Sequence, residues 1–114
     1  MPLLKIHTNQ SLDDAAQTAL IQKASSTVAE LLGKPERYVM IALDTDQAML
    51  FAGSDAPLAY LELKSIGLPD DTTTPLSAAL CQLISEELNI AQDRIYIEFT
   101  NAERHLWGWD GHTF

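Results

Sequence analysis

Met1-Pro2-Leu3-Leu4-Lys5-Ile6-His7-Thr8-Asn9 places Leu4, Ile6 and Thr8 on one side and Leu3, Lys5 and His7 on the other. This period of two predicts a strand with one covered face. Proline is tolerated at the first position of a strand, so Pro2 fits that reading without further purpose. Removal of Met1, however, would turn its nitrogen into a free secondary amine. In apolar surroundings desolvation disfavours the charged form of an amine and lowers its pKa, leaving a neutral proton acceptor at physiological pH. Pro2 is thus a candidate general base that needs no side-chain functional group.

The same strand also opens a repeat. Ser11-Leu12-Asp13-Asp14 resembles a capping box, and Ala16, Leu20, Ala24, Val28, Leu31 and Leu32 lay an apolar stripe along a helix. Gly33-Lys34-Pro35 closes it as a turn, with Lys34 projecting. Tyr38-Val39-Met40-Ile41-Ala42-Leu43 reads as a strand buried on both faces, and Ala48 to Phe51 as a short extra strand. The second half repeats this order. Ala59, Leu61 and Leu63 alternate with Tyr60, Glu62 and Lys64 in a strand. A helix opened by Pro75 buries Leu76, Leu80, Leu83, Ile84 and Leu88, with Cys81 as a small core residue beside them. Arg94 to Phe99 forms a strand with Ile95, Ile97 and Phe99 inward and Tyr96 and Glu98 on the opposite face, and Leu106 to Trp109 a short last strand.

The predicted fold class is therefore α/β, of the α+β kind. Two pseudo-symmetric β-α-β repeats build a four-stranded mixed sheet with two helices on one face, within a single domain spanning residues 1–114. The uncovered face is expected to carry apolar and aromatic residues and to drive self-association.

Composition narrows the function classes. The 114 residues are 46% hydrophobic and carry a net charge of −9, with only seven Lys and Arg and no basic run, which argues against nucleic acid or an anionic membrane as partner. A small anion must then be held by local cations against a repulsive field. The one cysteine excludes an intrachain disulfide, and His7, His105 and His112 lack a metal-ligand spacing, so no metal or cofactor is expected. His7 and His105 are expected to be exposed, and Arg37 and Arg104 are further cations without an assigned place. A soluble, cytoplasmic protein is expected.

Met1-Pro2, Gly33-Lys34-Pro35, Tyr38, Ser65-Ile66-Gly67, Asp93-Arg94-Ile95-Tyr96-Ile97 and Gly108-Trp109 occur in an order that resembles the macrophage migration inhibitory factor family of the tautomerase superfamily. The resemblance spans almost the whole chain. It implies a homotrimer in which three sheets form a central barrel, with a pocket at each subunit interface. It also implies keto-enol tautomerisation of phenylpyruvate-like acids, with Pro2 as base, Lys34 on the substrate carboxylate and the backbone amide of Ile66 as a further contact. Tyr96 of a neighbouring subunit, Tyr38 and Trp109 would complete the pocket.

Such a substrate needs one base near neutral pKa, one cation for the carboxylate and aromatic walls for the ring. Lys34 or Tyr96 would stabilise the enolate oxygen. Three departures bear on specificity and activity. Glu98 stands where the family's pocket has asparagine, Trp107 where an aliphatic residue is usual, and Leu58-Ala59-Tyr60-Leu61 where vertebrate cytokine members carry Cys-x-x-Cys, which removes a thiol oxidoreductase activity. The alternative implied function is a cytokine-like binding or signalling trimer with little physiological catalysis. It would be favoured by retention of Met1, would allow leaderless secretion, and has no receptor indicated by any residue. Dehalogenation or decarboxylation of small acids is a third, weaker reading.

Overall fold

The computed structural model describes residues 1–114. Strand β1 (Leu3–Thr8) leads into helix α1 (Asp14–Leu32) and strand β2 (Met40–Asp44). Strand β3 (Ala59–Ile66), helix α2 (Thr73–Leu88) and strand β4 (Ile95–Ala102) repeat the pattern, and β5 (Gly108–Trp109) and β6 (His112–Thr113) form a small terminal hairpin. The main sheet runs β2-β1-β3-β4. Within each repeat the two strands are parallel, and the central pair β1 and β3 is antiparallel with Lys5 opposite Glu62. The repeats are thus related by a pseudo-twofold between the central strands, and equivalent positions lie at opposite ends of the sheet.

Local signals explain the helix ends. Asp13 caps α1 by accepting from the Ala16 amide at 2.7 Å, which satisfies one of the orphan donors of the first turn. Gly33 ends the helix in the left-handed region (φ 61°), and the Lys34 amide reaches back to the Ala29 carbonyl at 3.0 Å. Asn89 serves the same purpose after α2 (φ 55°). Pro75 lies in the first turn of α2 rather than opening it, because the helix already starts at Thr73.

The core lies between the helices and one sheet face. Leu4, Ile6, Leu61 and Leu63 are fully buried there against Leu20, Ala24, Val28, Leu80 and Ile84. Cys81 is partly buried against this cluster. The stripe on α1 is narrower than its sequence suggests: Ala16 and Leu31 are exposed, while Leu20, Ala24 and Val28 hold one i, i+4 row against the sheet.

Three expectations need correction. Met40 to Leu43 is not buried on both faces; β2 is an edge strand whose residues are exposed or half-buried in alternation, and Met40 is 65% exposed. An unbroken apolar run does not distinguish a central strand from an edge with outward apolar side chains. Second, Ala48 to Phe51 forms no ladder beyond a bridge between Phe51 and Ser54. Arg94 shapes that segment instead, donating to the carbonyls of Phe51, Ser54 and Ala56 at 2.7, 3.0 and 2.9 Å. Leu106 likewise falls in a short turn, so the last strand begins only at Gly108.

Third, the uncovered face of the sheet carries the expected apolar and aromatic residues interleaved with charged ones. Its rows are Met40, Leu3, Lys64 and Thr100, then Ala42, Lys5, Glu62 and Glu98, then Asp44, His7, Tyr60 and Tyr96. His7 is half-buried rather than exposed, with its ring stacked on Tyr60 and Nδ1 near Gln47 and Asp44. Met40 and Tyr96 on this face are strongly exposed, and Leu50, Leu106 and Trp109 add exposed apolar side chains on the connecting segment and the tail.

Candidate functional site

Pro2 is fully buried at the head of β1, and its carbonyl accepts from the Met40 amide at 3.0 Å. Its nitrogen carries no hydrogen and takes no part in the ladder. The preceding amine of Met1 has its pKa lowered, first by partial burial and then by the positive charge of Lys34. Both causes penalise a second cation at this point.

Lys34 emerges from the α1 terminus half-buried, and its Nζ donates to the Ile66 carbonyl at 3.0 Å. It is therefore tied to the end of β3 rather than projecting into solvent. An ammonium group has three donors, so two remain for another acceptor. Ile66 presents its carbonyl to Lys34 while its side chain is buried.

Beside these groups lies a cavity of about 360 Å³, floored by Pro2, Leu3 and Met40 and walled by Tyr38, Trp107, Trp109 and Phe114. Tyr38 sits in a short 3-10 turn just before β2, not in the strand itself. The tail brings the other rings to it: Trp109 and Phe114 stack at 5.5 Å with a 10° tilt, and Tyr38 meets both edge-on at 5.8 and 6.2 Å. The Phe114 amide bonds to the Trp107 carbonyl at 3.2 Å, closing this wall. Arg37 also lines the cavity, with its guanidinium 4.7 Å from the Tyr38 ring centre. Phe114 is not among the residues read from the sequence, and Arg37 is read there only as a cation without a place. A lone arginine in a turn and an aromatic tail residue give no periodic signal; the pairing of β2 with β1 brings Arg37 to Pro2, and the folded tail brings Phe114.

Tyr96 and Glu98 lie elsewhere. Tyr96 pairs in register with Tyr60, which pairs with His7, so strand geometry sets it about 20 Å from Pro2. It is 64% exposed, packs at 4.5 Å on Phe51 and lines a second hollow of about 510 Å³. Glu98 accepts from the Tyr60 hydroxyl at 2.9 Å, and Glu62 lies 3.1 Å from the same oxygen. The Glu98 bond, with lesser desolvation and Glu62 contributions, holds the Tyr60 phenol well above the ordinary tyrosine range. Within one chain, then, Pro2, Lys34, Ile66, Tyr38, Trp107 and Trp109 gather at one end of the sheet, and Tyr96 and Glu98 do not.

With this arrangement in view, the family model for macrophage migration inhibitory factor (MIF) matches residues 1–114. The chain belongs to the MIF family. A MIF homologue from Brugia malayi is 41% identical over 100% of this chain and 99% of its own length. The crystal structure of a MIF homologue from Prochlorococcus marinus, 43% identical, superimposes with a TM-score of 0.93 over 98% of each chain. MIF from Trichinella spiralis, 32% identical, gives 0.90 over 98% of this chain and 99% of that one. The mixed four-stranded sheet with two helices is thus the MIF fold, and the family lies within the tautomerase superfamily. No helix of this MIF-family chain is long and apolar enough to cross a membrane.

Proposed function

We propose that the chain is a keto-enol tautomerase of phenylpyruvate-type acids, acting through the Pro2 amine after Met1 is removed. The observation that carries this reading is an N-terminal amine with a lowered pKa, beside Lys34 and at an aromatic cavity. With Met1 gone, the amine moves one residue inward to the fully buried position of Pro2, where desolvation acts more strongly on its charged form. In the ketonising direction the enol hydroxyl passes its proton to water, the O–H pair forms the carbonyl, and the C2–C3 double-bond pair takes a proton from protonated Pro2, which is left neutral. Enolisation is the reverse: neutral Pro2 takes the C3 proton, the C–H pair forms the C2–C3 double bond, and the carbonyl oxygen takes a proton from water. Lys34 binds the substrate carboxylate with its free donors, supported by the Ile66 backbone, and Tyr38, Trp107 and Trp109 hold the ring.

The working unit in this reading is a homotrimer. Tyr96 and Glu98 are too far from Pro2 to serve their own cavity, and the edge residues Met40 and Tyr96 are exposed. Tyr96 and Glu98 of a neighbouring copy therefore complete each site. The second reading, a binding or signalling trimer without physiological catalysis, applies to a chain that retains Met1, since Pro2 then lacks a basic lone pair.

The test is phenylpyruvate tautomerisation by Pro2→Gly, by Tyr96→Ala and by the two refolded together. Each alone should be impaired, and mixing should restore activity in about a quarter of the sites under random assortment into symmetric trimers. Full activity of Pro2→Gly would remove the proposed base. Absence of any recovery, with mixed oligomers shown by mass, would remove the shared site.

A further inference from the structure

The two ends of the sheet each carry a charge that the chain itself leaves uncompensated, and the charges are opposite. Arg37 is the only charged side chain of its own chain lining the Pro2 cavity. No ion pair of the chain includes it. Its guanidinium is nevertheless positioned, 4.7 Å from the centre of the Tyr38 ring, which Trp109 and Phe114 brace. Glu98 is exposed on β4, and no ion pair of the chain includes it either. It shares the Tyr60 hydroxyl with Glu62, at 2.9 and 3.1 Å. A phenol has one proton to donate, so one of the two carboxylates goes without. Glu62 has Lys64 at 3.9 Å and Lys5 opposite it on β1, which leaves Glu98 as the carboxylate in need of a cation.

We propose that Arg37 of one copy and Glu98 of its neighbour form an ion pair across the subunit interface, at the wall of each site. This rests on the homotrimer reading above, in which a neighbouring copy supplies Tyr96 and Glu98 to the Pro2 cavity. Assembly takes both groups out of water. Either charge enclosed alone would be costly, whereas an arginine and a carboxylate offset that loss with paired, directed hydrogen bonds. Each copy carries a net charge of −9, so the copies repel at long range, and a cross-subunit pair of opposite charges fixes their register. The pair also fits the site to an acid. An unpaired Glu98 would repel an anionic substrate and compete with it for Lys34. Arg37 holds that carboxylate aside, acting as a positioning residue, and Lys34 stays available to the substrate.

The decisive experiment is charge-directed sorting of subunits, read by native mass spectrometry after two chains are refolded together in equal amounts. Random assortment leaves about a quarter of the trimers unmixed. Arg37→Glu with Glu98→Arg should leave fewer than about one in twenty unmixed, because each mixed trimer exchanges two like-charge contacts for ion pairs. About 1 M salt should weaken that bias. The native chain refolded with a chain carrying both changes should do the opposite and give an excess of unmixed trimers, since each then pairs only with its own kind. This second mixture decides the matter even where a single variant fails to fold. Random assortment in either mixture would overturn the proposal, and a native chain that forms no trimer would remove the shared site and the pair together. Turnover is followed separately. Arg37→Met should raise KM for phenylpyruvate about three- to tenfold, and adding Glu98→Gln should restore it. Sorting by charge in a chain inactive on phenylpyruvate would count against the tautomerase reading and leave the ion pair standing.

Discussion

The pseudo-twofold axis gives the molecule two equivalent hollows, one at each end of the sheet, and they differ in chemistry. The first is built from the head of β1, the turn before β2 and the segment after β4. The second is built from the head of β3, the start of β4 and the segment after β2. The first has Pro2 and Arg37 in its lining and Lys34 beside it, whereas the second is lined by eight apolar or aromatic residues. Where α1 ends in Gly33-Lys34, α2 ends in Asn89-Ile90, with Ile90 buried. The arginine at the second end, Arg94, is occupied in holding carbonyls of the neighbouring segment. One scaffold therefore makes two hollows, and a few substitutions decide which can carry a reaction. In the proposed trimer the apolar end contributes Tyr96 to the reactive end of another copy.

Removing the base should erase the difference most completely. Pro2→Gly is expected to lower kcat/KM for phenylpyruvate by about 10²- to 10⁴-fold, the usual contribution of a positioned base, with the oligomer intact by light scattering. Lys34→Ala should cost roughly 10- to 100-fold, mainly in KM, as expected for loss of a charge-assisted contact. It should also shift the pH profile. In the enolising direction the neutral amine is the reactive form, so the enolisation rate rises with pH through the amine pKa. Lys34 helps to keep the N-terminal amine low, and its removal should move that limb to higher pH. A limb unmoved in Lys34→Ala would mean that the charge does not reach the base.

Smaller changes sharpen the contrast at the other end. Arg94→Ala releases three well-formed carbonyl contacts and should destabilise the fold by about 1–3 kcal/mol in urea unfolding. Faster amide exchange should be concentrated in residues 45–58. Trp109→Ala removes its contacts with Tyr38 and Phe114 and should raise KM about three- to tenfold, in line with about 0.5–1.5 kcal/mol per aromatic pair. An unchanged KM would place the ring outside the occupied part of the cavity.

Much of this contrast is legible in the sequence, though unevenly. The alternation of Leu4, Ile6 and Thr8 and the Gly33 and Asn89 termini appear in the structure as read, because strand faces and helix ends depend on local spacing and backbone conformation. The environment of β2 is not legible, since an apolar run looks alike in a central strand and an edge. Nor is the Ala48 to Phe51 segment, whose backbone is organised by Arg94 some forty residues further along. The apolar and aromatic residues expected on the open sheet face are there, Met40, Tyr60 and Tyr96 among them, but they are interleaved with the charged outward partners Lys5, Glu62 and Glu98, which the expectation left out. For the site, Pro2 and Lys34 are marked by position next to a strand start and a helix stop, but Arg37 meets Pro2 only through the pairing of β2 with β1, and Phe114 only through the folded tail.

In the proposed mechanism the first hollow works through a free amine at Pro2. The most direct test compares phenylpyruvate tautomerisation by two preparations of the same chain, one with Met1 removed and one retaining it, each verified by intact mass. Activity is expected to be confined to the processed form. Equal rates in both would contradict it, because Pro2 in the longer form is an amide without a basic lone pair.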